Sequence, residues 1–264
     1  MKSNIPSNHQ YQGKVLLVGA GPGDPELLTF KAAKAIRRAT VILVDDLVNE
    51  AILSHARPSA RIVQVGKRGG CKSTPQAFIE KLMILAAKEG ETVVRLKGGD
   101  PFIFGRGGEE VEALQAAGIE VEVINGITSG LAAASALNSP LTHREHAHGV
   151  VFITGHAKPG DSGPDWKLLS QTAAQAKLSL VIYMGVSGIE HISQGLLHGL
   201  SASTPVAVVQ HASLPEQRIH HTTLSRLATD VAQYKLASPS VLLIGDVFAA
   251  QQALENYTQH AALG

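Results

Sequence analysis

The sequence predicts an α/β protein with two sheets, and three observations carry that expectation. Short apolar runs alternate with segments of helical spacing through the first half of the chain. The runs at Val15–Val18, Val41–Val44 and Val93–Leu96 are apolar on both faces, as strands of a parallel sheet covered on both sides must be. The composition is 44% hydrophobic but only 4% aromatic, with 26 glycines, which favours an Ala/Val/Leu/Gly-rich α/β protein over an all-β one.

Residues 1–12 are polar, lack an apolar signal core and read as a flexible tail. Lys14–Gly19 reads as the first strand. Asp24 then suits an N-cap with Pro25 at the first helical position, opening a helix from Glu26 to Arg38. Val41–Val44 is a second buried strand ending in Asp45 and Asp46, followed by a short helix from about Asn49. A strand over Arg61–Val65 leads into the basic glycine loop Gly66–Gly70, and Thr74 with Pro75 caps a helix over Gln76–Lys88. The strand at Val93 comes next, then a helix over Glu109–Ala117, a strand over Glu120–Ile124 and a helix of small residues over Leu131–Leu137. In a parallel sheet every one of the glycine-rich turns falls at the carboxyl ends of strands, where ligands of such sheets bind.

The run Asn138–His148 breaks this rhythm and marks the expected boundary between a domain over 13–142 and a second over 143–264. In the second half, strands are expected at 150–154, 178–183, 205–209 and 241–244, with 218–223 as a hairpin arm. Helices are expected around Trp166, over 189–200, over 224–234 and over 248–257. The hairpin-like connections point to a mixed sheet.

A formal charge of +1 gives no global field toward nucleic acid or membrane, and no apolar run is long enough for a membrane span. One cysteine, Cys71, excludes a disulfide framework and a cysteine-based zinc site. A cytoplasmic protein is expected.

The most informative stretch is Arg95–Glu110, RLKGGDPFIFGRGGEE. Gly98 and Gly99 follow a strand, where they permit positive φ and close approach to the backbone. Asp100 supplies a carboxylate, and Phe102, Ile103 and Phe104 place three bulky apolar groups in a loop. This content suits a ligand that is part hydroxyl and part flat ring; a tight βα turn with its glycines required by geometry would also account for it. Gly19–Asp24 resembles a dinucleotide fingerprint, but Asp24 stands where a small residue should pack the helix. A nicotinamide enzyme is therefore the weaker reading. His143, His146 and His148 lack the spacing of ligands on one helix face, so no metal is expected. With Lys67, Arg68, Arg106 and Arg144 they suit either an anion pocket or a scattered basic surface.

Six segments occur in a telling order: Val18–Pro25, Val65–Arg68, Arg95–Glu110, Asn125–Thr128, Pro140–Arg144 and Val181–Gly185. Together they resemble the tetrapyrrole methylases, over about Gly13 to Ala250, and in particular the branch that methylates uroporphyrinogen III. The resemblance implies two α/β domains with S-adenosylmethionine (SAM) in the cleft between them, and a homodimer. It implies SAM contacts at Pro22, Gly98, Gly99, Asp100, Ile103, Thr128, Ser129, Met184 and the backbone near Ala212. It also implies Asp45 as proton acceptor and Lys67 as proton donor. Arg106, Glu109, Arg144 and Met184 match substrate-binding positions, with Arg106 a second candidate for acid–base work. From the residues alone, Asp45 reads equally as a cap on the helix that follows it. The implied reaction is two C-methylations of uroporphyrinogen III, through precorrin-1 to precorrin-2, releasing S-adenosylhomocysteine and serving sirohaem, cobalamin or haem d1.

Overall fold

Strand β1 (Lys14–Gly19) is apolar and buried after Lys14 and lies between two partners distant in sequence, β4 (Thr92–Lys97) and β5 (Glu120–Ile124). With β2 (Val41–Val44) and β3 (Arg61–Gln64) these strands form a parallel sheet in the order β3-β2-β4-β1-β5. The computed structural model describes residues 13–66, 74–157 and 160–249, so the expected tail, the basic glycine loop with Lys67 and Cys71, and the closing helix after 249 lie outside the described residues. The chain divides into two compact units, Met1–Thr128 and Ser129–Gly264.

In the first unit helix α1 (Phe30–Arg38) buries Ala32, Ala35 and Ile36 against Val18, Ile42, Val94 and Leu96 on one face of the sheet. Helix α2 (Gln76–Lys88) and helix α3 (Gly107–Ala116) cover the other face, where Ile79, Met83 and Leu114 meet Val15, Leu17, Leu43 and Val93. Full burial of each large aliphatic side chain contributes about 1.5–3 kcal/mol. The helix expected over 26–38 is two pieces. Asp24 caps a single 3₁₀ turn over Pro25–Leu27, Leu28 is extended, and Thr29 caps anew by accepting a hydrogen bond from Ala32 N at 3.1 Å. Two capping side chains five residues apart account for the interruption. The segment after Asn49 is a 3₁₀ helix, Glu50–His55, and Pro75 occupies the cap of α2 without a side-chain hydrogen bond.

The second unit is a mixed sheet in the order β6-β7-β10-β8-β9. Strands β6 (Gly149–Thr154) and β7 (Leu178–Tyr183) pair in parallel. Strand β10 (Ser240–Ile244) runs antiparallel to both β7 and β8 (Pro205–Gln210). Strand β9 (Arg218–Thr223) closes the edge as the expected hairpin arm against β8. Helices α5 (Trp166–Ala176), α6 (Ile189–Leu196) and α7 (Leu227–Gln233) cover one face through Trp166, Ile192, Leu196 and Leu227. Helix α4 (Ser129–Ala136) lies on the other, with Ala132, Ala133 and Leu137 against Val181, Ala207, Val209 and Leu243. Its packing is close: a Cβ added at Gly130 would stand 2.4 Å from Tyr183 Oη, which accepts a hydrogen bond from Gly130 N at 2.9 Å. The two units thus divide at Thr128 and Ser129, ahead of the 142/143 division read from the loop.

Asp230 on α7 is a buried anchor of this unit. Its carboxylate accepts from Thr222 Oγ1 at 2.5 Å and Arg226 Nη2 at 3.1 Å, and lies 3.3 Å from His220 Nε2. Burial pushes its pKa up, but the bonds from Thr222, His220 and Arg226 outweigh burial and hold it below the ordinary 3.8. A carboxylate depressed on folding stabilises above its unfolded pKa and loses that contribution as pH falls through the folded one. Asp230→Asn should therefore cost about 1–3 kcal/mol near neutrality and show a flatter stability curve below about pH 4, in urea titrations at several pH values. A variant as acid-sensitive as the parent would assign the acid loss elsewhere.

Candidate active site at the strand ends

The parallel registers of the first sheet bring the turns after β1, β2, β4 and β5 to one edge. Here the glycines serve the chain itself first. Gly21 and Gly99, both at positive φ, exchange backbone hydrogen bonds: Gly99 N donates to Gly21 O at 2.7 Å and Gly21 N to Gly99 O at 3.2 Å. A Cβ at Gly126 would meet Gly99 O at 2.2 Å, and one at Gly98 would meet Leu47 Cβ at 2.8 Å. The close approach read from the sequence is thus, in the first place, turn upon turn. Asp100 fixes the arrangement: Oδ1 accepts from Phe102 N at 2.8 Å, and Oδ2 from Asn125 Nδ2 and Gly126 N, both at 3.1 Å. Its carboxylate is buried and already holds three donors, so what it offers a ligand is chiefly the shape of the loop.

Beyond Asp100 the loop turns outward. Phe102, Ile103 and Phe104 are all substantially exposed, and Phe104 and Arg106 adopt left-handed φ values of 54° and 58°. Such strain in side-chain-bearing residues collects at functional sites. Arg106 projects from the start of α3 and donates to Glu109 through Nε at 2.9 Å, with a second contact from Nη2. The hydrogen bond it donates to Glu109 raises the Arg106 pKa further above its ordinary value. That direction opposes use of Arg106 as a base and favours a permanently charged anchor.

The structure adds a group of charges that sequence reasoning missed. Arg95 and Lys97 on β4 point to the face covered by α2 and α3 and are 2% and 3% exposed. Fully buried Glu110 on α3 meets them: Arg95 Nε donates to Oε1 at 3.1 Å, and Lys97 Nζ lies 3.2 Å from Oε1 and 3.1 Å from Oε2. The Lys97 contact to Oε2 is charge pairing without hydrogen-bond alignment, since Oε2 has no hydrogen-bond partner among the described residues. Gln76 Nε2 on α2 also donates to Oε1, at 3.2 Å. Arg95 Nη2 then reaches Asp45 Oδ2 at 3.2 Å, and Asp45 is the member of the group with real access to solvent, its side chain 36% exposed. Burial and the Arg95 guanidinium push the Lys97 pKa down, against the pull of Glu110 and Asp45. The signal in the sequence was two cations at alternate positions of an otherwise apolar strand, which places both on one buried face. The capping reading of Asp45 has another owner: Asn49 Oδ1 accepts from Ala51 N at 3.0 Å and caps the 3₁₀ helix.

In the second unit, β6, β7 and β8 end at one edge of the sheet. Met184, His211 and Ser213, just past β7 and β8, all have positive φ (55°, 52° and 70°). Met184 is 44% exposed, Ala212 is buried between the two strained residues, and Gln210 Oε1 is buried without a hydrogen-bond partner among the described residues. Thr128 is buried and Ser129 opens α4. Arg144 sits in an exposed turn closed by paired backbone hydrogen bonds between His143 and Ala147. In that turn His143 and His146 stack, and with Glu145 they bring candidate metal-ligand atoms within 4.8 Å of one another, a proximity their sequence spacing did not suggest. The first edge thus gathers Gly98, Gly99, Asp100, Ile103, Arg106, Glu109 and Asp45; the second gathers Met184 and Ala212.

Comparison with known proteins extends this geometry. The family model for tetrapyrrole (corrin/porphyrin) methylases matches residues 14–228. A uroporphyrinogen-III C-methyltransferase of Pseudomonas aeruginosa is 52% identical over 236 residues, covering 89% of this chain and 94% of the relative. Siroheme synthase 2 of Aeromonas hydrophila is 48% identical over 243 residues, 92% of this chain and 50% of that longer protein. Among solved structures, a uroporphyrin-III C-methyltransferase of Thermus thermophilus complexed with S-adenyl homocysteine is 40% identical, with a TM-score of 0.75 over 89% of this chain and 93% of that one. The chain belongs to the tetrapyrrole (corrin/porphyrin) methylases.

Proposed function

We propose that this chain is a SAM-dependent methyltransferase that C-methylates uroporphyrinogen III twice, through precorrin-1 to precorrin-2, serving sirohaem, cobalamin or haem d1 synthesis. The observation that carries the reading is the 52% identity to a uroporphyrinogen-III C-methyltransferase over nearly the full length of both chains. The chemistry of the strand ends fits SAM. Turn amides and the exposed apolar Ile103 and Met184 suit a nucleoside with a flat ring, and the buried Gln210 Oε1, without a partner among the described residues, is an acceptor suited to a ligand's donor. Pro22, Gly98, Gly99, Asp100, Ile103, Thr128, Ser129, Met184 and the backbone at Ala212 would hold it, Asp100 by shaping the loop.

Bound SAM supplies a methyl group already activated on a sulfonium, so the chain's own work is positioning and proton removal. The macrocycle carries eight carboxylates, and a guanidinium takes a carboxylate with two parallel hydrogen bonds. Arg106, oriented by Glu109, and Arg144 supply that grip. A ring carbon that has gained a methyl group must lose a proton, and the solvent-accessible carboxylate of Asp45 accepts it. Lys67 is the proposed proton donor. The active form is a homodimer, in the cytoplasm; among the described residues no helix is long and apolar enough to cross a membrane.

Turnover of uroporphyrinogen III with labelled SAM tests the reading. Label must enter the macrocycle twice; tight SAM binding without transfer would reduce the chain to a binding module, and a calorimetric response to NAD instead would favour an oxidoreductase. Arg106→Lys keeps the charge and loses the fork. It should raise the KM for the macrocycle by an amount equivalent to roughly 1.5–3 kcal/mol and leave SAM affinity unchanged. A fall in kcat with KM untouched would move Arg106 from binding to chemistry.

A further inference from the structure

We propose that Arg95 is a positioning residue for the reaction: a buried strut that fixes the carboxylate of Asp45 in the orientation that takes the proton. The inference rests on the reading of Asp45 as proton acceptor. Arg95 is 2% exposed and touches no solvent-facing surface through which it could meet a macrocycle. Its guanidinium works at both ends. Nε donates inward to Glu110 Oε1 at 3.1 Å, Nη2 donates outward to Asp45 Oδ2 at 3.2 Å, and Nη1 faces Leu96 O at 3.4 Å.

The frame behind the strut is rigid. Glu110 stands on α3, is fully buried, and accepts from Gln76 of α2 and from Lys97, the next residue on the same face of β4. Two helices and the central part of the sheet therefore define where Arg95 can lie, and Arg95 defines where Asp45 Oδ2 can lie. The Asp45 backbone is tied to the same strand, its N–H donating to Leu96 O at 3.1 Å. With backbone and one carboxylate oxygen both fixed by β4, the second oxygen is the one left without a partner among the described residues.

Stability alone does not account for this arrangement. Buried ion pairs of this kind are often matched or bettered by apolar residues of similar volume, because desolvating the charges offsets their attraction. The cluster holds two cations, Arg95 and Lys97, against two anions, Glu110 and Asp45, and its charges balance only when the accessible member is counted. Arginine is the residue suited to the task, since a planar fork can bond two carboxylates at once and an ammonium group on a flexible stem cannot hold both at fixed angles.

A double-mutant cycle in the intact protein tests the proposal. Arg95→Lys should lower kcat by about 10–100-fold, with the KM for uroporphyrinogen III and the affinity for SAM changed less than twofold. Introduced into Asp45→Asn, the same substitution should lower kcat no further, because there is no longer a carboxylate to position. An equal loss on both backgrounds, or no loss in the parent, would overturn the proposal and leave Arg95 a packing residue. If Asp45→Asn itself turned over normally, the assignment of Asp45 would have failed instead, a result read from a different corner of the cycle. Should Arg95→Lys not fold, Glu110→Gln takes its place in the cycle. It frees the inner end of the strut, and its loss in kcat should likewise vanish on the Asp45→Asn background; additivity there would again overturn the proposal.

Discussion

Replacing Glu110 by alanine should cost the protein about 3–5 kcal/mol, the largest stability effect expected of a single change in the first unit. The reason is the pair it leaves behind. Arg95 and Lys97 are both almost wholly buried, and Glu110 is the anion that meets both of them. Without it, Asp45 remains for Arg95, but Lys97 keeps an ammonium group in an apolar setting with a guanidinium as its neighbour. Lys97 is already pushed toward the neutral form by burial and by Arg95, so the variant should relieve itself partly by releasing that proton. A calorimetric midpoint lower by roughly 6–20 °C, recovering as pH rises, would fit this account. Simultaneous exchange of Arg95, Lys97 and Glu110 for apolar residues of similar volume should restore much of the loss. A drop of less than about 1 kcal/mol for Glu110→Ala would mean that water reaches the cluster.

Asp45→Asn should have the largest effect on catalysis. It preserves shape and the contact to Arg95 while removing the basic oxygen, so kcat should fall by about 10²–10⁴-fold with KM little changed. Single-turnover methyl transfer measured alongside steady-state rates would show whether loss of the proton or transfer of the methyl carries the deficit. Because Asn49 already caps the helix that follows, the substitution has no capping role to preserve. A near-normal kcat would move proton acceptance from Asp45 to another group at the strand ends.

The parts of the fold that could be read in advance were those where one physical demand dominates. β1, β2, β7 and β10 are largely apolar on both faces because both faces are covered. Helix α4 was legible as a helix, but not as a member of the second unit. Its alanines show that something packs closely without showing what, and only the meeting of Ala132 and Ala133 with Val181 and Leu243 answers that. The glycine turns were found, and the reason for them shifted. Gly19 and Gly126 are small because each lies against another glycine's backbone, and Gly99 takes a positive φ of 67°. Asp100 was picked out as a ligand group and proves to be the peg of the loops. The Arg95–Lys97–Glu110 cluster was not legible because its pairing depends on α3 returning over the sheet, which the strand itself does not encode.

The strand order of the first sheet has a consequence for how the chain is made. Lys14 pairs with Thr92 on one side and Glu120 on the other, so β1 has no sheet partner until β4 has been synthesised and is flanked on both sides only when β5 follows. At ordinary translation rates of about 5–20 residues per second, the apolar run from Val15 to Val18 waits on the order of 5–20 s for its second neighbour. Until β4 has been made, β2 and β3 can pair only with each other. Half-built, the unit offers an open hydrophobic edge to chaperones or to other nascent chains, and the ribosome rather than the finished protein is where that edge is exposed.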